Sequence, residues 1–152
     1  LQEALEGTLE ARFGEIAAPV LADAGMSGAA FDVTPPGPFV PGHGRDGAAI
    51  PGGYNRYPEL AATGLWARAR DLGAFVAQTI DSDRWHRVAC GYGLGVRTRW
   101  PGQFEHAGAN RGYRAWLWGN GFTGRGLVLL TNGAQGDALV PRLMPAFLLG
   151  RF

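Results

Sequence analysis

Hydrophobic positions along this chain repeat with two different periods, and the change from one to the other divides it into parts. Over residues 1–24, Leu5, Leu9, Phe13, Ile16 and Val20 recur every three or four positions, which places them on one stripe of a helix. Pro19 lacks the N–H that a continuing helix would use, so a helix to about Ala18 is expected, then a short turn toward "ADAGM". Helical spacing returns in "YPELAATGLWARARDLGAFVAQTI", residues 57–80, where Leu65, Leu72, Phe75 and Val76 share a face. The clearest part runs from about Ala67 to Thr79, with Asp71 in an early turn, where the helix dipole favours a carboxylate.

From residue 91 the period is two. In "GYGLGVRTR", Tyr92, Leu94, Val96 and Thr98 fall on one side of an extended chain and Gly91, Gly93, Gly95, Arg97 and Arg99 on the other, which predicts a strand with a bare glycine face. "RGYRAWLWG" alternates Tyr113, Ala115 and Leu117 against Arg114, Trp116 and Trp118, and "GLVLLTN" is a continuous apolar run of the kind buried on both sides. The spacer "GNGFTGRG" spells G-x-G-x-x-G with Gly119, Gly121 and Gly124, but a strand follows where a dinucleotide site needs a helix. It reads as a hairpin turn, and no cofactor is expected. "DALVPRLMPAFLLGRF" predicts a short closing helix within 137–150 in spite of Pro141 and Pro145.

Between these parts lie residues 32–56, with five prolines, six glycines and no periodicity. A loop of this length inside a small domain is uncommon and often functional, a surface excursion being the plainer account. The fold class expected is α+β: one partial domain, 1–152, in which an antiparallel sheet over 91–132 is flanked by a helix and turn in 1–31, a helical segment in 57–80 and the closing helix.

Composition narrows the chemistry. With 14 basic and 13 acidic side chains the net charge is +1, which gives no footprint for nucleic acid, and no run approaches the roughly 20 apolar residues of a membrane span. Every basic residue is Arg, so no Schiff base, P-loop or Ser-Lys dyad can form from this chain alone. Cys90 is the sole cysteine, which excludes an intrachain disulfide and the multi-cysteine zinc sites. The histidines, His43, His86 and His106, form no His-x-His or His-x-x-x-His pair, and no metal site is expected. The two serines, Ser27 and Ser82, lie outside G-x-S-x-G and S-x-x-K. Asp81 and Asp83 read as solvated charge in a polar turn. Glu105 adjoins His106, but neighbours on a strand point to opposite faces and do not pair. His106, Gly108 and Asn110 remain, in "FEHAGAN": on their own they describe either a histidine at a sheet edge or one wall of a site.

Three stretches taken together separate these alternatives. "PVLADAGMSGAAF", "YPELAATGLWARARDLGAFV", and "GYGLGV" with "FEHAGANRGYRAWLWGNGFTGRGLVLLTN" resemble, in order and spacing, the C-terminal half of the serine β-lactamase-like hydrolases. These are the class C β-lactamases, D-alanyl-D-alanine carboxypeptidases and related esterases. The resemblance spans roughly residues 13–140. The family uses S-x-x-K with the nucleophile, Y-x-N with a general base, and K-T-G or H-x-G on a facing strand. His106, Ala107 and Gly108 match the third. The first two are absent here, and Tyr54 in "GYNRY" is followed directly by Asn55.

The resemblance implies hydrolysis of an ester or amide through an acyl-enzyme, with the nucleophile supplied by the front half of the domain or by a partner chain. It makes Ala109 the backbone oxyanion donor, and places His106 where the lysine of K-T-G stands, tuning the site rather than attacking. Gly108 would let substrate approach the backbone, with Asn110 beside it, and Thr63 and Gly64 would line the opposite rim. Ala107 departs from K-T-G by lacking a hydroxyl to hold a substrate carboxylate, which favours an ester or peptide-like amide over a β-lactam. Arg114 and Asn132 are expected to be structural. The glycine face of 91–95 would receive the family's central helix; without it an apolar surface is left that favours self-association. The alternative is a catalytically inactive relative that binds a ligand or protein with the remaining cleft.

Overall fold

The computed structural model describes residues 1–82, 91–98 and 100–151. In chain order the elements are α1 (Gln2–Leu9), α2 (Phe13–Asp23), β1 (Ala30–Phe31), α3 (Leu60–Thr63), β2 (Leu65–Trp66), α4 (Ala69–Ile80), β3 (Gln103–Asn110), β4 (Tyr113–Asn120), β5 (Arg125–Thr131), a 3-10 turn (Gly136–Leu139) and α5 (Val140–Leu148). Among the described residues two antiparallel sheets result, β1–β2 and the meander β3–β4–β5. Helices flank both, and the fold is α+β. No helix among the described residues is long and apolar enough to cross a membrane.

The two-residue turn Arg111–Gly112 joins β3 to β4, with Gly112 at φ 81°, a backbone conformation that glycine adopts without cost. Cross-strand pairing then sets the faces. Phe104, His106, Gly108 and Asn110 stand opposite Gly119, Leu117, Ala115 and Tyr113, so these share one side of the sheet. On that side α4 packs: Val76 forms the buried core with Val96, Phe104 and Leu117, joined by Phe75, Ile80 and Val128. Gly126 is bare so that α4 can approach β5, since a methyl there would stand 2.5 Å from Val76 Cγ1. The other face carries Trp118, whose ring meets Phe147 of α5 edge-on at 5.9 Å. Arg125 ties down the C-terminal end of α5, donating to the carbonyls of Phe147 (2.6 Å) and Leu148 (3.3 Å), where a cation also suits the helix dipole. Helices on both faces explain why β5 is apolar between Arg125 and Thr131.

α4 begins where the spacing predicts. Asp71, buried, accepts the N–H groups of Arg68 (3.0 Å) and Gly28 (3.3 Å), so one carboxylate caps the helix and fastens the 26–29 turn to it. The N-terminal expectation needs correcting. Instead of one helix ending near Ala18 there are two, separated at Glu10, whose φ is 50°. Glu6 of α1 accepts the N–H of Phe13 at 2.8 Å and so satisfies a free donor at the start of α2. The buried stripe becomes Phe13, Ala17 and Leu21, with Leu9 and Val20 exposed. Pro19 does not stop α2, because it lies on the exposed side, where a missing hydrogen bond leaves its carbonyl partner to water. In α5, likewise, Pro141 occupies the first turn and Pro145 an exposed position.

A second correction concerns residues 91–98. They do not form a strand with a glycine face. The Gly93 N–H donates to Val96 O and the Thr98 N–H to Gly91 O, closing a tight turn in which Gly91 and Gly95 take φ of 75° and 74°. Tyr92 and Leu94 are 54% and 71% exposed while Val96 and Thr98 are 7% and 8%, so the four do not share a side. Glycine is needed here for backbone conformation rather than to admit a helix. Arg99 lies outside the described residues, as do His86, Cys90 and Asp83.

Residues 32–56 form a loop, as their composition predicts, but a pinned one. The His43 N–H donates to Asn132 O and His43 O accepts from the Ala134 N–H, both at 2.9 Å, which joins the loop to the end of β5.

Two glycine substitutions test this packing. Gly119→Ala puts a methyl inside the ring of Phe104 and is expected to cost about 1–3 kcal/mol, read as a lower urea midpoint. Gly108→Ala meets only Ala115 Cβ, at 3.7 Å, and is expected to stay within about 0.5 kcal/mol of the parent.

Candidate functional site

β3 is an edge strand of the meander. Glu105 exchanges two backbone hydrogen bonds with Arg97, at 2.9 and 2.8 Å, so the odd-numbered residues of β3 direct their N–H and C=O groups away from β4. Beyond Arg97 the 91–98 segment turns back on itself. Among the described residues, the outward N–H and C=O groups of Ala107 and Ala109 therefore have no strand partner.

His106 lies on the α4 side of this edge, exposed, with Nδ1 2.9 Å from the carbonyl oxygen of Gly95. Gly108 follows on the same side. Asn110 Nδ2 donates to Thr63 O at 3.1 Å, which draws the end of α3 against β3, and the Asn110 carbonyl accepts from Arg114 Nη1 at 2.9 Å. Thr63 spends its hydroxyl on Glu59 O, 2.9 Å away. Gly64 is buried, and a Cβ there would come within 2.5 Å of Leu60 Cδ2. Of the residues singled out by sequence, Asn110 and the Thr63 backbone are brought into contact, and His106 and Gly108 share the strand side with Asn110. Gly64 packs on Leu60 of α3, and its carbonyl accepts from the Asp32 N–H at 3.0 Å.

The side chains of Ala107 and Ala109 point to the other face. There they border a hollow of about 200 Å³ with Arg114, Trp116, Leu129 and Asp137. The hollow beside Ala109 and the imidazole of His106 are on opposite faces of one strand, and only the open backbone edge between them is common to both. Arg114 and Asn132 are engaged with backbone carbonyls, Arg114 with Asn110 O and Tyr113 O, Asn132 with Pro41 O. Among the described residues no group of three His, Cys, Asp or Glu side chains could hold a metal ion.

Sequence reasoning overlooked Tyr113. Paired with Asn110 across the hairpin, it sets its hydroxyl 2.7 Å from Gly53 O and 2.9 Å from Val40 O. Its ring sits where a Cβ on Gly42 would come to 2.7 Å, and meets Trp66 edge-on at 6.4 Å. Trp66, Tyr54 and Phe39 continue the cluster with centroids 5.3 to 6.1 Å apart. The Pro/Gly loop is in this way clamped next to the candidate site. The only signal in the sequence was aromatic residues set among glycine and proline. His43 is a second anchor, its Nδ1 3.1 Å from Asn132 O.

Burial raises the pKa of Tyr113 above its ordinary value of 10.0, and this fixes the sign of a pH effect. The unfolded chain ionises first, so the contribution to stability is complete below about pH 10 and is lost as pH rises through the folded-state pKa. Tyr113→Phe is expected to cost about 1 kcal/mol at neutral pH, with the difference from the parent shrinking in alkaline unfolding titrations; a difference that grows with pH would contradict the assignment. In comparisons with known proteins, no family model and no curated protein matches this chain.

Proposed function

We propose that this chain is the rear half of a serine hydrolase of the β-lactamase-like type, acting on an ester or peptide-like amide. The observation that carries the reading is the N–H of Ala109 on a strand edge, without a strand partner among the described residues, one residue from Gly108 and three from an exposed, anchored imidazole. A serine hydroxyl from polypeptide outside these residues adds to the substrate carbonyl, and the charge that develops on oxygen is met by the Ala109 N–H. The bond to the leaving alcohol or amine then breaks, and water releases the acyl group. Because the donor belongs to a strand held by its ladder, no reorganisation is needed when that charge appears. Gly108 keeps the approach clear, and Ala107 offers no hydroxyl to a carboxylate. A groove of about 420 Å³ between α4 and β5, lined by Ala69, Gly73 and Ala77, supports the same reading: small residues there leave room for the rest of the domain.

The same edge favours one other reading, a binding module. The outward N–H and C=O groups of Ala107 and Ala109, without a strand partner among the described residues, can pair with an extended peptide, and this needs no nucleophile.

Ala109→Pro separates the two. It deletes an outward N–H that takes no part in the β3–β4 ladder and fixes φ at that residue, a change that an edge strand tolerates. In the complete polypeptide it is expected to lower the acylation rate by about 10²–10³-fold while the unfolding midpoint is retained. A polypeptide whose serines are never phosphonylated by a fluorophosphonate, yet which loses peptide binding on Ala109→Pro, is the module instead. Residues 1–152 alone, holding only Ser27 and Ser82, are expected to take up neither a fluorophosphonate nor a β-lactam probe; stoichiometric labelling of either serine refutes the assignment of the nucleophile to other polypeptide.

A further inference from the structure

The contact between His106 and Gly95 has a consequence for what the imidazole can bind. A carbonyl oxygen only accepts, so the ring nitrogen 2.9 Å from Gly95 O must carry the proton. We infer that the turn at residues 93–96 is a positioning element. The Gly95 carbonyl holds neutral His106 as its Nδ1–H tautomer, leaving the Nε2 lone pair to meet a hydrogen-bond donor, a ligand N–H or O–H. The inference about ligand class rests on the hydrolase reading above; the tautomer does not.

The carbonyl is well placed for this because the turn is held at several points. Val96 is buried in the core beside Phe104 and Leu117. Arg97 is paired with Glu105 on β3 by two backbone hydrogen bonds, and Gly93 and Thr98 close the turn through Val96 O and Gly91 O. His106 sits on the sheet next to Glu105 and opposite Leu117, so both ends of the contact are fixed by the same packing. Gly95 itself has φ of 74°, a region where residues other than Gly, Asn and Asp are strained. A Cβ at Gly95 would meet nothing within 4 Å. Backbone conformation, with no steric crowding, is therefore what restricts this position.

The fixed tautomer separates this histidine from a lysine at the same place. An ammonium always donates, and attracts a carboxylate. A neutral imidazole anchored through Nδ1 offers an acceptor at Nε2, which repels a carboxylate and pairs with an amide N–H, a hydroxyl or the nucleophile's own O–H. The substrate class that fits is a neutral ester or amide with a donor near the reacting carbonyl.

Long-range proton–nitrogen correlation spectra of the full chain, labelled with ¹⁵N-histidine and assigned by comparison with His106→Gln, read the tautomer without any activity. His106 is expected as Nδ1–H at a pH where it is neutral. Gly95→Val, strained at φ 74°, is expected to shift the tautomer ratio about threefold to tenfold toward Nε2–H, the size of effect one hydrogen bond gives, whereas Gly95→Asn restores the parent spectrum. A parent spectrum dominated by Nε2–H, or a Gly95→Val spectrum unchanged from the parent, overturns the inference. In turnover assays of the complete polypeptide, Gly95→Val is expected to lower kcat and to add no further loss to His106→Ala. Additive losses overturn the positioning role, and absence of turnover overturns the hydrolase reading alone while leaving the spectra to decide the tautomer.

Discussion

Phe104 lies across Gly119 with Val76 of α4, Val96 and Leu117 closed around it, and the positions of β3, β4 and α4 follow from that packing. A side chain at residue 119 would collide with the ring. A one-residue slip of β3 would turn Phe104 to the opposite face and bring His106 with it. The register that buries this phenylalanine therefore also decides which side of the sheet carries the imidazole and which backbone groups are left at the edge.

The edge follows from strand periodicity. Once Phe104 faces inward and pairs with Gly119, even-numbered residues of β3 bond to β4 and odd-numbered ones face away from it. Glu105 takes up its outward groups with Arg97. Because the 91–98 segment then turns away at glycines, Ala107 and Ala109 meet no strand partner for theirs among the described residues. The bend that leaves the edge open also presents the Gly95 carbonyl to His106, so access and anchoring come from one local conformation.

The long loop is held by a separate device. Tyr113, Trp66, Tyr54 and Phe39 pack edge to face, and the Tyr113 hydroxyl and the His43 backbone complete the attachment at the β3–β4 hairpin and the end of β5. Aromatic rings supply large contact area for little lost side-chain freedom, which a segment so rich in glycine and proline cannot otherwise obtain. The hairpin end of β3, with Asn110 and the backbone of Thr63, is stiffened as a result.

The sequence by itself determined the α+β class, helix α4 with Asp71 near its start, the strands β4 and β5, and the hairpin turn at Gly121 and Gly124 between them. Each depends on periodicity or on a turn residue, and those act over a few neighbouring positions. Of the candidate site, the strand bearing His106, Ala107, Gly108 and Asn110 was legible for the same reason. Tertiary structure alone decided that Glu10 rather than Pro19 divides the N-terminal helices, that the glycines of 91–95 bend the chain, and that Tyr113 clamps the loop. It also decided that the imidazole and the hollow beside Ala109 occupy opposite faces. Those outcomes rest on contacts between residues far apart in the chain, such as Phe104 with Val76 and Tyr113 with Gly53, whose energies no local pattern records.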